Sequence, residues 1–174
     1  MEAVVRQETA DDRPAVDEVV RLAFGRELEA TFVRAVRAWE GFVPELSLVA
    51  EVDGRVAGHT LFTPITIECD GASHEALCMA PVAVHPNVQN QGIGSQLVRE
   101  GLVRCRALGH RIVVVTGHPT YYPRFGFAPA RPLGIEPPTP LLDPVWMTTE
   151  LVEGALAGVR GTVRYPSPFA VLEE

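Results

Sequence analysis

Long apolar runs, dense basic stretches and paired cysteines are all missing from this sequence, and each absence excludes a class. No apolar run approaches the roughly 20 residues needed to cross a bilayer, so no membrane association is expected. No Lys/Arg-rich stretch occurs; the basic residues are scattered arginines and the net charge is −7. A nucleic-acid binder needs a basic face, so no nucleic-acid partner is expected. The three cysteines, Cys69, Cys78 and Cys105, are odd in number and form no Cys-x-x-Cys pair. That argues against a disulfide framework and a zinc site and fits a reducing cytosol. His59, His74, His85 and His110 lack metal-ligand spacing and read as surface or strand-end residues; no metal is expected. The first residues, Met1 to Arg6, lack the basic-then-apolar layout of a signal peptide, and the expected location is the cytoplasm.

What is present is the composition of a globular chain. Apolar residues make up 47% and charged residues 21%, which excludes disordered and fibrous classes. At 174 residues one domain is expected over the whole chain.

The pattern along the chain predicts a mixed α/β fold. Ala3 to Glu8 reads as a strand, and Asp11-Asp12-Arg13-Pro14 as a helix start with an Asp cap. Val16, Val19, Val20 and Phe24 recur at helical spacing up to Gly25. A second helical pattern runs through Leu28, Phe32, Val33, Val36 and Trp39 to Gly41. Three strands follow, over 46–52, 55–68 and 77–84, with Asp53-Gly54 as a two-residue hairpin and Asp70-Gly71 as another turn. Pro81 lies inside the third and cannot donate to a ladder, so a bulge or splay is expected there. A helix over 93–108 stops at Gly109, and Ile112 to Val115 is a strand buried on both faces. A short segment, Thr120 to Phe125, precedes a strand opening at Gly126-Phe127. The proline-rich 131–144 reads as loop. Strands are expected over 145–151 and 161–165, with a short helical stretch at 153–157. This order predicts a mostly antiparallel mixed sheet flanked by helices.

Between the third strand and the long helix lies Gln89-Asn90-Gln91-Gly92-Ile93-Gly94-Ser95. Glycines let the backbone approach a ligand, and the amides of a helix start form a site for a pyrophosphate. A nucleotide P-loop needs Lys after the last glycine; Ser95 stands there instead. A dinucleotide fingerprint needs a third glycine where Leu97 stands, and an acid near Val115. On these residues alone, a ligand cradle and a purely structural tight turn both remain.

Gln89-x-x-Gly92-x-Gly94 resembles the Gln/Arg-x-x-Gly-x-Gly/Ala signature of the GNAT superfamily of N-acetyltransferases. Val82-Ala83-Val84-His85-Pro86 is similar to that family's fourth strand and the turn after it. Tyr121-Tyr122-Pro123-Arg124-Phe125-Gly126-Phe127 is similar to its tyrosine-to-Gly-Phe segment. The chain also looks like a bacterial YhbS-type branch, clearly from Ala3 to Phe127 and more loosely beyond.

The resemblance implies a GNAT fold with splayed fourth and fifth strands, a core over 3–131 and C-terminal strands over 145–165. It implies acetyl-CoA as co-substrate in a V-shaped cleft. Backbone groups of Val82, Ala83 and Val84 would meet the pantetheine arm and the thioester oxygen. The amides of Gln89, Asn90, Gln91, Gly92, Ile93, Gly94 and Ser95 would hold the pyrophosphate. Tyr122, four residues before Gly126, matches the general acid that protonates the departing thiolate; Tyr121 could fill either role, and spacing favours Tyr122. Phe125 would line the cofactor channel. His118 reads as a turn residue beside Pro119. No carboxylate lies on 77–84 to serve as base; Glu27 and Glu29 are acceptor-site acids by analogy only, and the base stays unassigned. Cys78 lacks a His/Asp partner and is not read as a nucleophile. The reaction implied is direct attack on the thioester by a primary amine of a small molecule or peptide. A non-catalytic acyl-CoA sensor of the same fold is the alternative, and a longer acyl chain such as succinyl or propionyl is a third reading. GNAT dimers are common, which leaves a homodimer open.

Overall fold

The computed structural model describes residues 1–173. The chain forms two compact units, one of Met1–Thr63, Ala80–Arg104 and the segment from Ser167 on, the other of Pro64–Met79 and Cys105–Pro166.

In the first unit, β1 (Val4–Gln7), β2 (Ser47–Val52) and β3 (Arg55–Cys69) form an antiparallel ladder with β4 (Ala72–Val84) beside β3. Val5 faces Ala50, and Leu48 faces Thr60. Asp53 and Gly54 both take left-handed φ, 50° and 76°, as a tight hairpin between β2 and β3 requires. Alternation along β2 sends side chains to two helical layers. Val49 packs with Val16, Val19 and Val20 of α1 (Arg13–Phe24), Ala30 of α2 (Leu28–Ala38) and Ala83. Leu48 and Ala50 pack with Ile93 and Leu97 of α3 (Ile93–Ala107). Phe32 meets Phe169 of the C-terminal 3₁₀ segment edge-on at 4.8 Å.

The Asp12 side chain does not cap α1. It reaches back to the Thr9 amide (2.7 Å) and takes a two-pronged Arg6 guanidinium at 2.7 and 2.9 Å, which holds its carboxyl well below the usual range.

In the second unit β4 pairs parallel with β5 (Ile112–Thr116) through Leu77/Val113 and Cys78/Val114. β4 continues past that last pair to Pro81 and Val84. β5 pairs antiparallel with β8 (Trp146–Glu150), which also pairs with β6 (Ala128–Pro129). The end of β3 pairs with β9 (Gly161–Arg164), and β9 runs parallel to β7 (Ile135–Glu136) inside the segment expected to be loop. Buried Trp146 donates its indole N–H to the Ile135 carbonyl at 3.0 Å. The helical stretch expected at 153–157 is a series of turns, because Gly154 and Gly158 adopt left-handed φ of 83° and 75°. β4 starts five residues before the expected Leu77, and the strand expected at Gly126 starts at Ala128.

His59 corrects its sequence reading. It is not a surface or strand-end residue; it sits inside β3 with no exposure, because the strand alternation turns it to the α1/α2 side. Its Nδ1 lies 2.9 Å from the Leu48 carbonyl, and burial pushes the ring down to about 4. The charges felt by the ring are Glu8, Arg37 and Asp17. Arg37 bonds Glu8 and, at 3.3 Å, Asp17, and the Ser47 hydroxyl donates to Glu8.

This histidine makes stability depend on pH. Its folded-state value lies below the ordinary 6.5, so the unfolded chain binds the extra proton first as pH falls. Stability contributed by neutral His59 is full above about pH 6.5 and is lost down to about pH 4, amounting to about 3 kcal/mol. Denaturant titrations from pH 7 to 4 should show this loss, and His59→Gln should flatten it. A parallel decline in wild type and variant would remove His59 as the cause.

Candidate active site

The first unit gathers the loop and the strand end singled out in the sequence. β4 ends at Val84, and the His85 amide donates to the Ala57 carbonyl at 2.8 Å. A 3₁₀ turn, Pro86–Val88, follows, and the His85 ring nitrogen Nδ1 accepts from the Asn87 amide at 3.1 Å. The Gln89 side-chain amide donates to the Val84 carbonyl at 2.9 Å, so Gln89 braces the loop against the strand it leaves. Asn90 and Gly92 both take left-handed φ, 61° and 86°. Asn tolerates that region and Gly is at home in it. The Gly92 carbonyl accepts from the Gln96 amide at 3.1 Å and opens α3. The helix itself offers no carbonyl to the amides of its first turn, and the helix dipole makes that end positive. A Cβ built on Gly92 would meet nothing within 4 Å, so the approach to this turn is open.

Gly58 determines how close that turn sits. A Cβ there would lie 2.9 Å from Leu97 Cδ1, 3.2 Å from the Ala83 carbonyl oxygen and 3.3 Å from Ile93 Cγ2. The sequence reading passed over it, although a lone glycine inside a strand pattern signals close backbone approach. The Thr60 hydroxyl donates to the Pro81 carbonyl at 3.0 Å, fixing β4 where its proline cannot donate. Ala83 is buried, while Val82 and Val84 are half-buried.

The second unit gathers the aromatic segment. The His118 carbonyl accepts from the Tyr121 and Tyr122 amides at 3.1 and 3.4 Å, starting the 3₁₀ turn Tyr122–Phe125; the His118 side chain is exposed. Tyr122 is buried, with ring centroids 6.3 Å from Phe125 and 5.8 Å from Phe127. Tyr121 is half-buried and stacked by Arg124 at 4.5 Å. Burial, then Tyr121 and Cys78, push the Tyr122 phenol up to about 12, so it keeps its proton at neutral pH. Gly117 makes room for the ring, since a Cβ there would fall 2.4 Å from Tyr122 Cε2.

Cys78 is buried, and burial pushes its thiol up to about 12. It is hydrogen-bonded to the Tyr165 hydroxyl, a partner that no spacing in the sequence indicated. Glu29 is held by Arg26 at 3.0 and 3.1 Å, and Glu27 is exposed beside Arg21 at 3.5 Å and Arg34 at 3.8 Å. Among the described residues no group of three His, Cys, Asp or Glu side chains could hold a metal, and no helix is long and apolar enough to cross a membrane.

The two close-packed glycines yield a test. Gly58→Val and Gly117→Ala should each destabilise by about 1–3 kcal/mol through overpacking, read as a lower denaturant midpoint at unchanged slope. Wild-type midpoints would contradict the close approach at that position.

Residues 4–130 match the family model for the acetyltransferase (GNAT) domain. The chain is 36% identical over 161 residues to the uncharacterized N-acetyltransferase YjhQ of Escherichia coli K12, covering 90% of this chain and 88% of that one. It is 35% identical over 167 residues to the uncharacterized N-acetyltransferase YhbS of the same organism, covering 95% and 98%. The crystal structure of E. coli YhbS in complex with CoA superposes with a TM-score of 0.88 at 33% identity, over 98% of this chain and 93% of that one. A GNAT family acetyltransferase from Brucella melitensis in complex with acetyl-CoA gives 0.78 at 31%, over 97% and 98%.

Proposed function

This chain belongs to the GNAT family of acetyltransferases, and we propose that it transfers acetyl from acetyl-CoA to a primary amine by direct attack in a ternary complex. The observation that carries this reading is the opening of α3. Left-handed Asn90 and Gly92, braced by Gln89, present first-turn amides to an open approach that suits a pyrophosphate. CoA and acetyl-CoA in the crystal structures of the two relatives support the same cofactor here.

In this reading the backbone from Gln89 to Ser95 binds the pyrophosphate, and Val82 to Val84 bind the pantetheine arm and polarise the thioester carbonyl. Phe125 lines the cofactor channel. The amine nitrogen bonds to the acetyl carbon, the ammonium proton leaves to solvent, and the C–S bond breaks with its electron pair on sulfur. Tyr122 gives that sulfur its hydroxyl proton and regains one from solvent. Its raised value keeps the donor charged with its proton across the neutral and mildly alkaline range. Holding amine and thioester together supplies a large share of the acceleration. Free thiols at Cys69, Cys78 and Cys105 support a cytoplasmic setting.

Calorimetric titration with acetyl-CoA, CoA and NADH tests the cofactor. Selective binding of the two CoA species is expected; binding of neither would withdraw the reading. Gly92→Val forces a branched side chain into a left-handed backbone, and its strain of about 1–3 kcal/mol should weaken acetyl-CoA by about tenfold or more. Unchanged affinity would remove the loop from the site. Tyr122→Phe should leave affinity alone and lower kcat by about a hundredfold or more. Slow thiol release with every amine tested, given tight acetyl-CoA binding, would favour the acyl-CoA sensor.

A further inference from the structure

In the second unit β4 and β5 share a ladder of only two pairs, Leu77/Val113 and Cys78/Val114. Upstream of it, residues 73–76 and 109–112 stand opposite each other in the same register. Instead of pairing, they line a cavity of about 290 Å³. The register turns main-chain groups into this gap. The Arg111 carbonyl accepts from the Leu151 amide at 2.7 Å, so Arg111 turns its main chain to β8 and Ile112 turns its own to β4. The β4 residue bonded between Ile112 and Val114 is then Leu77, and Glu75, two residues earlier, faces the same way. The next rung would run from the Ile112 amide to the Glu75 carbonyl. It would add the pair Ala76/Ile112, which the ladder does not contain.

The side chains around the gap add charge in a definite pattern. Phase with Leu77/Val113 puts Glu75 and Arg111 on one face of it and half-buried His74 and His110 on the other. Glu75 and Arg111 are exposed, and among the described residues neither forms a salt bridge. Buried Ala76 and Ile112 supply apolar wall between them. A strand edge with unmatched donors and acceptors is a template for another extended chain. A cavity of this size is at the lower end for small-molecule pockets and suits a ligand of about two residues. We propose that the gap between the starts of β4 and β5 is a binding site for a zwitterionic dipeptide. Its amide takes the place of the missing rung, its ammonium meets Glu75 and its carboxylate meets Arg111. The dipeptide is bound unchanged, with no covalent bond made or broken. The site lies wholly within the second unit and does not depend on the transferase reading.

The test is titration of the isotope-labelled full chain with alanyl-alanine, read by backbone amide NMR with and without acetyl-CoA. Saturable shifts centred on Glu75 and Ile112 are expected in both conditions. At saturation, hydrogen exchange of the Ile112 amide should slow by about tenfold or more, because that amide gains an acceptor. Glu75→Gln and Arg111→Gln change exposed side chains and should keep the native spectrum. Each should weaken binding by about tenfold or more, the loss of one charge-assisted hydrogen bond. N-acetylalanine methylamide, which keeps the amides and loses both charges, should bind more weakly than either variant binds alanyl-alanine. Absence of saturable shifts at Glu75 and Ile112, or wild-type affinity in both variants, would overturn the inference. Shifts that need acetyl-CoA and spare Glu75 and Ile112 would also overturn it, and would make the dipeptide an acetyl acceptor bound elsewhere.

Discussion

The placement of α3 against β3 depends on the side chain that Gly58 lacks. Without a Cβ there, Leu97 and Ile93 reach the strand and the Ala83 carbonyl lies close by. The first turn of the helix is thereby fixed against β3, the neighbour of the strand from which its loop departs. Gln89 closes the arrangement by bonding the loop back to Val84. Backbone amides bind a phosphate well only when held in place beforehand, since ordering them at the moment of binding would cost affinity. The position of that first turn is therefore a consequence of the packing around Gly58. The glycines of the loop supply the conformation, and the glycine of the strand supplies the position.

On the other side of the same ladder the first unit is unexpectedly polar. Glu8 and Arg37 have side chains only 4% and 7% exposed, with Ser47 bonded to Glu8 and uncharged His59 nearby. A buried ion pair contributes little net stability compared with an apolar replacement, but breaking it leaves one charge buried and unpaired. Its effect is to fix which face of α2 meets β1 and β2. Asp12 and Arg6 do similar work at the start of α1, where a bidentate contact ties the helix to the first strand.

The second unit applies burial to chemistry. Tyr122 packs into space left by Gly117 and among Phe125 and Phe127, and the same loss of water that stabilises the ring makes its phenolate costly. Cys78 shares this environment, and the same loss of water pushes its thiol up.

Much of this was legible along the chain because it depends on local physics. The Asp53-Gly54 hairpin, the Gly25 and Gly109 stops, the all-apolar β5 and the Gly92 turn each follow from what a backbone can do at one position. The family resemblance was legible for a related reason: the loop motif and the tyrosine segment are short and contiguous. What the sequence could not show depends on faces and on distance. Whether His59 pointed inward or outward was a matter of strand phase against α1 and α2, and its reading as a surface residue failed there. β7 is two residues in a proline-rich loop, with no periodicity to reveal it, and exists only because β9 lies beside it. The stretch over 153–157 carries helical composition, but Gly154 and Gly158 outweigh it. Tyr165 reaches Cys78 only because β9 pairs with the end of β3. The sequence determined the elements, the loop and the family; tertiary packing decided which side chains became buried, and burial is what sets the protonation of His59, Cys78 and Tyr122.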